Sequence, residues 1–434
     1  MATEQGPMSG FRDLLAEHML PRDSVVRTIT TVYERYGFVP LKTPTLERLA
    51  TLTGKYGEEG DKLMYSFKDN GQRDVAMRYD HTVPLARVVA QHGEKLPKPY
   101  KRYALGDVWR GESPQAGRYR EFTQLDADIV GTSSYLADTE VIAMISDAMA
   151  AIGVAATVRV NDRGLLDGLA EVCGITAKKD FYKLVGAIDK VEKIGAEAVL
   201  KEIDAAFGTA TKDIVTQYLD ISGTTKEKLD ALAALLDNKP AAEAVGNLTN
   251  ILNLLEAAGY GGKIIFDQNI ARGLSYYTGT IYETSVDDLP SIGSVCSGGR
   301  YDELIKQLGG PDTPAVGISI GVDRLLEAMR QLGLLKEEKT KTSVYITNVE
   351  AGLDEDRFKL VQMLRENGIA AELVYDAPKL GKQIGTIDKL GVGKIIILGS
   401  KEKASGSVVI KDLATGQQKE VTPKDIISEL MEDS

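Results

Sequence analysis

Arginine and tyrosine set among glycines mark the run Gln268-Asn269-Ile270-Ala271-Arg272-Gly273-Leu274-Ser275-Tyr276-Tyr277-Thr278-Gly279-Thr280. Glycines weaken a strand, so close approach of a ligand to the backbone explains the run better than a glycine-kinked edge strand, the other reading. A second constellation is Asp107-Val108-Trp109-Arg110-Gly111-Glu112 with Gly117-Arg118-Tyr119-Arg120-Glu121-Phe122-Thr123-Gln124. Arg110 and Arg118 on facing strands could hold one phosphate or carboxylate between two forked, always-charged guanidinium groups. Glu112 and Phe122 would offer an acceptor and an aromatic face to an adenine ring. A cross-strand ladder of Arg and Glu is the structural alternative. Ser294-Val295-Cys296-Ser297-Gly298-Gly299-Arg300-Tyr301-Asp302 could let a ligand lie against bare backbone, a weak signal by itself. Gly317-Ile318-Ser319-Ile320-Gly321-Val322-Asp323-Arg324-Leu325 puts an arginine in the first turn of a helix. A cation is unfavourable there on dipole grounds, so Arg324 is expected to face an anion. A cap by Asp323 with a solvated Arg324 is the competing reading.

These groups need elements to carry them. Residues 21–37 have helical spacing (Val25, Val26, Ile29, Val32, Tyr33), a cap at Asp23 or Ser24, and a stop at Gly37. An extended segment, Phe38 to Leu41, runs on towards Pro44, and residues 83–92 form a second helix. Residues 100–131 alternate apolar and polar around a Gly-containing, basic loop, which predicts a long antiparallel hairpin. Between 175 and 257 Ala, Leu, Lys, Glu and Asp dominate in helix-length pieces separated by Gly195, Gly208, Gly223 and Pro240, an all-helical insertion. Strands return at 263–267, 276–284, 291–297 and 315–321, followed by a helix at 322–332. Residues 336–342 are a charged linker. Strands alternating with helices from 343 to 434 predict a compact α/β module with a partly parallel sheet. The expected organisation is α+β: a first catalytic part at 1–174, the insertion at 175–257, a second catalytic part at 258–335, the linker, and the C-terminal module.

The four constellations, in this order, resemble the class II aminoacyl-tRNA synthetases, and the Arg272 to Thr280 run is similar to the segment peculiar to the histidyl-tRNA synthetase family. The extended segment ending at Pro44 resembles the first class II motif, a dimer-interface strand; Arg110 to Gln124 resembles the second; Gly321-Val322-Asp323-Arg324 resembles the third. The resemblance implies an antiparallel catalytic sheet with flanking helices and a C-terminal anticodon-binding domain. It implies ATP as substrate, Mg²⁺ arriving with it, L-histidine and tRNA(His) as partners, and a homodimer, with no resident protein-bound metal. Arg110 would contact the α-phosphate, Glu112 and Phe122 the adenine, and Arg324 the γ-phosphate, with Arg118 beside them. Asp80, His81 and Thr82 would line the amino-acid end. Gln124 and Asp128 would reach the histidine from the hairpin, and Tyr276, Tyr277 and Tyr301 would close the pocket. Arg272 would neutralise the α-phosphate during attack, and Gln115 is placed at the tRNA acceptor end. Imidazole has a donor and an acceptor nitrogen, so Asp128 as acceptor and Tyr277 as donor would satisfy both. The family has Asp where this chain has Ser275, a departure expected to affect support more than chemistry.

Composition limits the alternatives. The formal charge is −11, which argues against indiscriminate binding to nucleic acid. Residues 379–424, however, hold nine Lys against four acids, and nine minus four leaves a local +5. The only thiols, Cys173 and Cys296, are far apart and suit a reducing, cytoplasmic setting without a zinc site. The polar start is not signal-like, and no apolar run nears the ~18 residues of a membrane span. His18 and His92 have no Ser, Cys or metal-ligand partner in the pattern. Two rivals stand beside the enzyme: a catalytically silent paralogue such as the regulatory subunit of ATP phosphoribosyltransferase, and an RNA-binding scaffold. The paralogue class lacks the C-terminal module and degrades the Arg-Gly…Tyr-Tyr segment, both of which this chain retains, and a scaffold would not need Arg110, Arg272 and Arg324 together.

Overall fold

The computed structural model describes residues 6–114, 117–271, 276–336 and 338–431, with backbone alone at 58 and 59. Two compact units divide the chain, Met1–Asp13 with Val25–Leu335, and Leu14–Ser24 with Lys336–Ser434.

The first unit is built on an eight-stranded, largely antiparallel sheet. Its order is Val39–Pro40, Tyr100–Trp109, Glu121–Val130, Ala315–Gly321, Ser294–Arg300, Thr280–Val286, Ala156–Asp162, Ile264–Phe266. Only the two outermost pairings are parallel. Tyr100–Trp109 and Glu121–Val130 form the expected hairpin, in continuous register from Tyr100↔Val130 to Trp109↔Glu121. The helix Tyr135–Ala151 packs against the strands and buries Val141, Ile142, Met144 and Ile145. The helix Ala16–Arg35 buries Val25, Val26, Ile29, Val32 and Tyr33, the residues its spacing singles out. It starts before residue 21, with Pro21 inside it. Ala16, Glu17, Met19 and Leu20 propagate a helix well, which offsets the lost hydrogen bond and ring crowding that Pro21 imposes on the carbonyl four residues back.

A three-stranded sheet, in the order Leu46–Arg48, Asp74–Met77, Ser66–Lys68, lies within the same unit and was not evident from the pattern. Its strands have three or four residues each, too short for alternation to stand out. From Lys178–Ile188 to Lys239–Ala257 the chain is helical. Thr224 and Glu227 form a capping box there, and Asn238 caps the last helix, with proline in its first turn.

The second unit holds a five-stranded sheet in the order Ala371–Leu373, Val344–Ile346, Lys394–Ile397, Val408–Asp412, Gln418–Val421. The first three strands are parallel, and the last two complete an antiparallel meander. Helices Asp354–Glu366 and Leu380–Lys389 provide the crossovers that parallel neighbours require.

Candidate active site

Alternation along Glu121–Val130 puts Phe122, Gln124, Asp126 and Asp128 on one face, and all four line a cavity of about 570 Å³ in the first unit. The neighbouring strand makes room for them. Gly317 stands opposite Asp128, Ser319 opposite Asp126 and Gly321 opposite Gln124. A Cβ on Gly317 would come within 2.0 Å of Asp128 Oδ1. Gln124 Nε2 donates to Ser319 Oγ at 2.8 Å. Tyr301, which follows the strand Ser294–Arg300, donates its hydroxyl to Asp128 Oδ1. On the other side, Arg102 is the cross-strand partner of Asp128, and its Nη2 lies 2.7 Å from Asp128 Oδ2. Arg102 is fully buried. Burial raises the pKa of Asp128, with Arg102 and the Tyr301 hydrogen bond opposing the rise. The carboxyl of Asp126 is pushed up to about 7, chiefly by burial and against the pull of Arg102.

Asp80 closes the same cavity from the start of the helix Thr82–His92. Its Oδ1 accepts the N–H groups of Thr82 and Val83, both at 3.1 Å, and the Tyr56 hydroxyl at 3.0 Å. The Tyr276 hydroxyl lies 3.4 Å from Oδ2. Thr82 lines the cavity as expected, but His81 does not. The His81 ring turns to the hairpin, where Nε2 lies 3.1 Å from the Gly106 carbonyl. Burial, with Arg102 and Arg78 nearby, drops its pKa to about 3 and keeps it neutral. Its carbonyl, which accepts from Arg102 Nη2 at 3.2 Å, is the part that supports the site.

Tyr276 and Tyr277 line the cavity ahead of the strand, which begins at Thr280 instead of 276. The segment leaves the sheet where Gly279 packs on the Arg300 side chain. The rings of Tyr276 and Tyr301 meet edge to face at 5.9 Å. Gly298 and Gly299 are bare for packing reasons. A Cβ on Gly298 would meet the Gly317 carbonyl at 2.1 Å and the Tyr282 ring at 2.6 Å, and one on Gly299 the Tyr277 ring at 3.0 Å.

Arg110 donates Nε to the Tyr79 carbonyl at 3.1 Å and lies over the rings of Tyr79 and Phe122, at 4.4 and 5.2 Å. Arg118 pairs with Glu112 at 3.1 Å, an Arg–Glu ion pair of the kind the structural alternative expects, and both Arg110 and Arg118 line the cavity. Arg324 lines the cavity and donates Nη1 to the Ser294 carbonyl at 2.9 Å. Asp323 does not cap its own helix. It accepts the Thr123 N–H at 2.8 Å and Arg12 at 2.5 Å, tying the helix Val322–Gln331 to the hairpin.

Arg272, Ser275 and Gln115 lie outside the described residues. The cavity therefore gathers Asp80, Thr82, Arg110, Glu112, Arg118, Phe122, Gln124, Asp128, Tyr276, Tyr277, Tyr301 and Arg324, and omits His81. Sequence reading missed Arg102, Asp126, Tyr56 and Ser319. Asp126 was within reach, since the alternation that selects Gln124 and Asp128 also selects it.

Comparison with known proteins places this geometry in context. Residues 10–325 match the family model for histidyl-tRNA synthetase, and residues 343–433 that for the anticodon binding domain. A histidine–tRNA ligase of Rhodopirellula baltica is 42% identical over 95% of this chain and 94% of its own length. Another, from Gloeobacter violaceus, is 40% identical over 96% of each. The crystal structure of histidyl-tRNA synthetase from Nostoc sp. PCC 7120 covers 100% of both chains with a TM-score of 0.88 and 31% identity.

Proposed function

The chain belongs to the histidyl-tRNA synthetase family, and from that premise we propose how its cavity divides the work. The reaction is that of a histidine–tRNA ligase: L-histidine and ATP give histidyl-adenylate and pyrophosphate, and histidine then passes to the 3′ end of its tRNA. The observation that carries the reading is one cavity lined by the buried carboxylates Asp80, Asp126 and Asp128, by Tyr276, Tyr277 and Tyr301, and by Arg110 and Arg324. That set of groups matches a substrate pair carrying an ammonium group, a polar ring and phosphates.

Asp80 receives the α-ammonium group. Asp128 and Tyr277 meet the imidazole, with Gln124, Tyr276 and Tyr301 around them. Such a site rejects apolar amino acids by roughly 10⁴-fold, because its polar groups would otherwise be left buried and unpaired. Phe122 stacks on adenine and Glu112 accepts from its amino group, with Arg118 exchanging Glu112 for a phosphate. Arg110 and Arg272 neutralise the α-phosphate, and Arg324 grips the γ-phosphate. No general base is needed, because the attacking carboxylate is already ionised. Mg²⁺ supplies further charge neutralisation when it arrives on the ATP phosphates. A hard cation held largely by phosphate needs only one or two protein carboxylates, and Glu283 on the cavity wall fits that task.

Histidine-dependent exchange of pyrophosphate into ATP, assayed against every proteinogenic amino acid, tests the reading. Absence of exchange with histidine would overturn it and favour the silent paralogue. Sedimentation of the same preparation tests the homodimer. Val39 on the edge strand and Leu105 on the hairpin are 49% and 44% exposed, as an edge awaiting a second copy would be. A monomer at micromolar concentration would refute that. A cytoplasmic location, consistent with the two free thiols, would be refuted by finding the protein outside that fraction.

The second unit takes the tRNA anticodon end. Lys379, Lys382, Lys389, Lys401 and Lys424 are exposed and make no ion pair among the described residues, whereas Lys403 and Lys419 pair with Asp356 and Glu429. Charge reversal at Lys382 and Lys389 is expected to raise the KM for tRNA, to flatten its salt dependence, and to leave histidine activation intact. An unchanged tRNA KM would remove these lysines from the interface. Gln115 is proposed for the acceptor end.

A further inference from the structure

A second cavity, of about 460 Å³, lies in the first unit and shares no lining residue with the substrate cavity. The start of the helix Arg163–Val172, the start of the insertion helix Lys239–Ala257 and the segment Thr278–Thr280 bound it. Insertion and catalytic sheet meet closely there, since a Cβ on Gly164 would come within 2.9 Å of the Pro240 carbonyl. The lining is acidic. Asp138, Asp162, Asp167, Glu243 and Asp302 stand against Lys239 and Arg300, five carboxylates to two cations, or −3. Arg163 pairs with Asp167 at 3.0 Å from outside the lining, and five minus three leaves −2.

Asp162 is the deep carboxylate. It ends the strand Ala156–Asp162 and is 3% exposed. Its Oδ1 caps the next helix, accepting the Gly164 N–H at 2.8 Å, while its Oδ2 is buried with no hydrogen-bond partner among the described residues. The neighbouring cations are committed elsewhere. Arg300 has five N–H donors, and they go to both oxygens of Asp138, to Asp302 Oδ1, and to the carbonyls of Thr132 and Ser134. Arg163 turns to Asp167 and the Tyr277 carbonyl, and Lys239 lies 3.6 Å from Glu243. Burial pushes the Asp162 carboxyl up to about 7, with Asp138 and Asp167 adding to the rise and Gly164 and Arg300 opposing it. A buried carboxylate oxygen without a donor is costly, and a cationic N–H donor is what this cavity lacks.

A metal ion does not suit the geometry, because among the described residues no three Asp, Glu, His or Cys side chains converge closely enough to hold one. Volume and charge suit a longer cation. We propose that this cavity binds a linear aliphatic polyamine, with one ammonium group on Asp162 Oδ2, a second at the rim carboxylates of Glu243 and Asp302, and the methylenes along Pro240 and Ala244. The occupant would also touch the backbone of Thr278 to Thr280, which directly follows Tyr277 of the substrate cavity.

Calorimetric titration of putrescine, a short linear diamine, into the full-length protein reads this site without substrates or tRNA, at about pH 8 where Asp162 is ionised. At ~0.15 M salt, where exposed ion pairs are screened, the expected result is one saturable site per chain. Asp162→Asn should raise its Kd by roughly tenfold to a hundredfold, since a charge-assisted hydrogen bond is lost. Asparagine still caps the helix at Gly164, so the thermal unfolding curve should show an intact fold. Glu197→Gln, at an exposed acid of the insertion, should bind as the wild type does. Wild-type protein without saturable putrescine binding would overturn the proposal, and that result needs no variant to fold. Equal Kd values for the wild type and Asp162→Asn would overturn it too. Saturable binding of Mg²⁺ alone, lost in Asp162→Asn and unaccompanied by putrescine binding, would make this a metal site and exclude the polyamine.

Discussion

Arg110→Ala is expected to slow histidine-dependent pyrophosphate exchange by roughly a hundred- to a thousandfold while the fold survives. Attack of a carboxylate on the α-phosphorus crowds negative charge, and a fixed cation lowers that barrier only if it need not be reorganised during the step. Arg110 is fixed in this sense. Its Nε is held by the Tyr79 carbonyl, and its guanidinium lies between the faces of Tyr79 and Phe122. The charge that develops in the transition state exceeds that of bound ATP, so the loss should fall mainly on kcat. The aromatic partners stay packed without Arg110, so the thermal unfolding curve should move little. A variant with wild-type kcat and only a raised KM for ATP would show that Arg110 serves ground-state binding. Arg272→Ala carries the parallel expectation of lost adenylate formation in a folded protein, and wild-type exchange would refute its role.

Gly317→Ala is expected to damage both the stability of the first unit and its histidine site. The new Cβ would sit 2.0 Å from Asp128 Oδ1 and 3.0 Å from the Ala127 carbonyl. Asp128 cannot swing away cheaply, since Tyr301 holds Oδ1 and buried Arg102 pairs with Oδ2. Displacing it either strands a buried cation or forces the two strands apart. Overpacking costs ~1–3 kcal/mol, and disrupting a buried ion pair ~3–5 kcal/mol. The midpoint of urea unfolding should drop accordingly, and the KM for histidine should rise steeply. Gly321→Ala serves as the control, because a Cβ there meets only ordinary contacts at 3.9 Å. Equal midpoints for the two variants would refute the packing argument.

Among the site residues, those on regular local patterns were legible in the sequence. Phe122, Gln124 and Asp128 follow strand alternation, and Arg324 announces itself as a cation in the wrong end of a helix. His81 sits in the pocket motif beside Asp80, where its backbone counts for more than its ring, and its carbonyl does accept from Arg102. The hairpin carbonyl of Gly106 captures that ring, and no local pattern encodes the capture. The run Ser294 to Gly298 lines the cavity, as a ligand lying against bare backbone requires, and Gly298 and Gly299 also leave room for the Gly317 carbonyl, Tyr282 and Tyr277. Arg118 and Glu112 form an Arg–Glu ion pair in the loop between the two hairpin strands.

Sequence alone determined the long hairpin, the helical insertion, the C-terminal α/β module and their order, because periodicity, capping and turn residues act over a few positions. Register and sheet order were decided only in the tertiary structure. Arg102 meets Asp128 because the hairpin closes with Tyr100 opposite Val130, and Gly317 meets Asp128 because a strand from near residue 320 inserts beside it. Such pairings depend on which distant strands exclude water together. The buried pair of Asp128 with Arg102 exists only once that exclusion is complete.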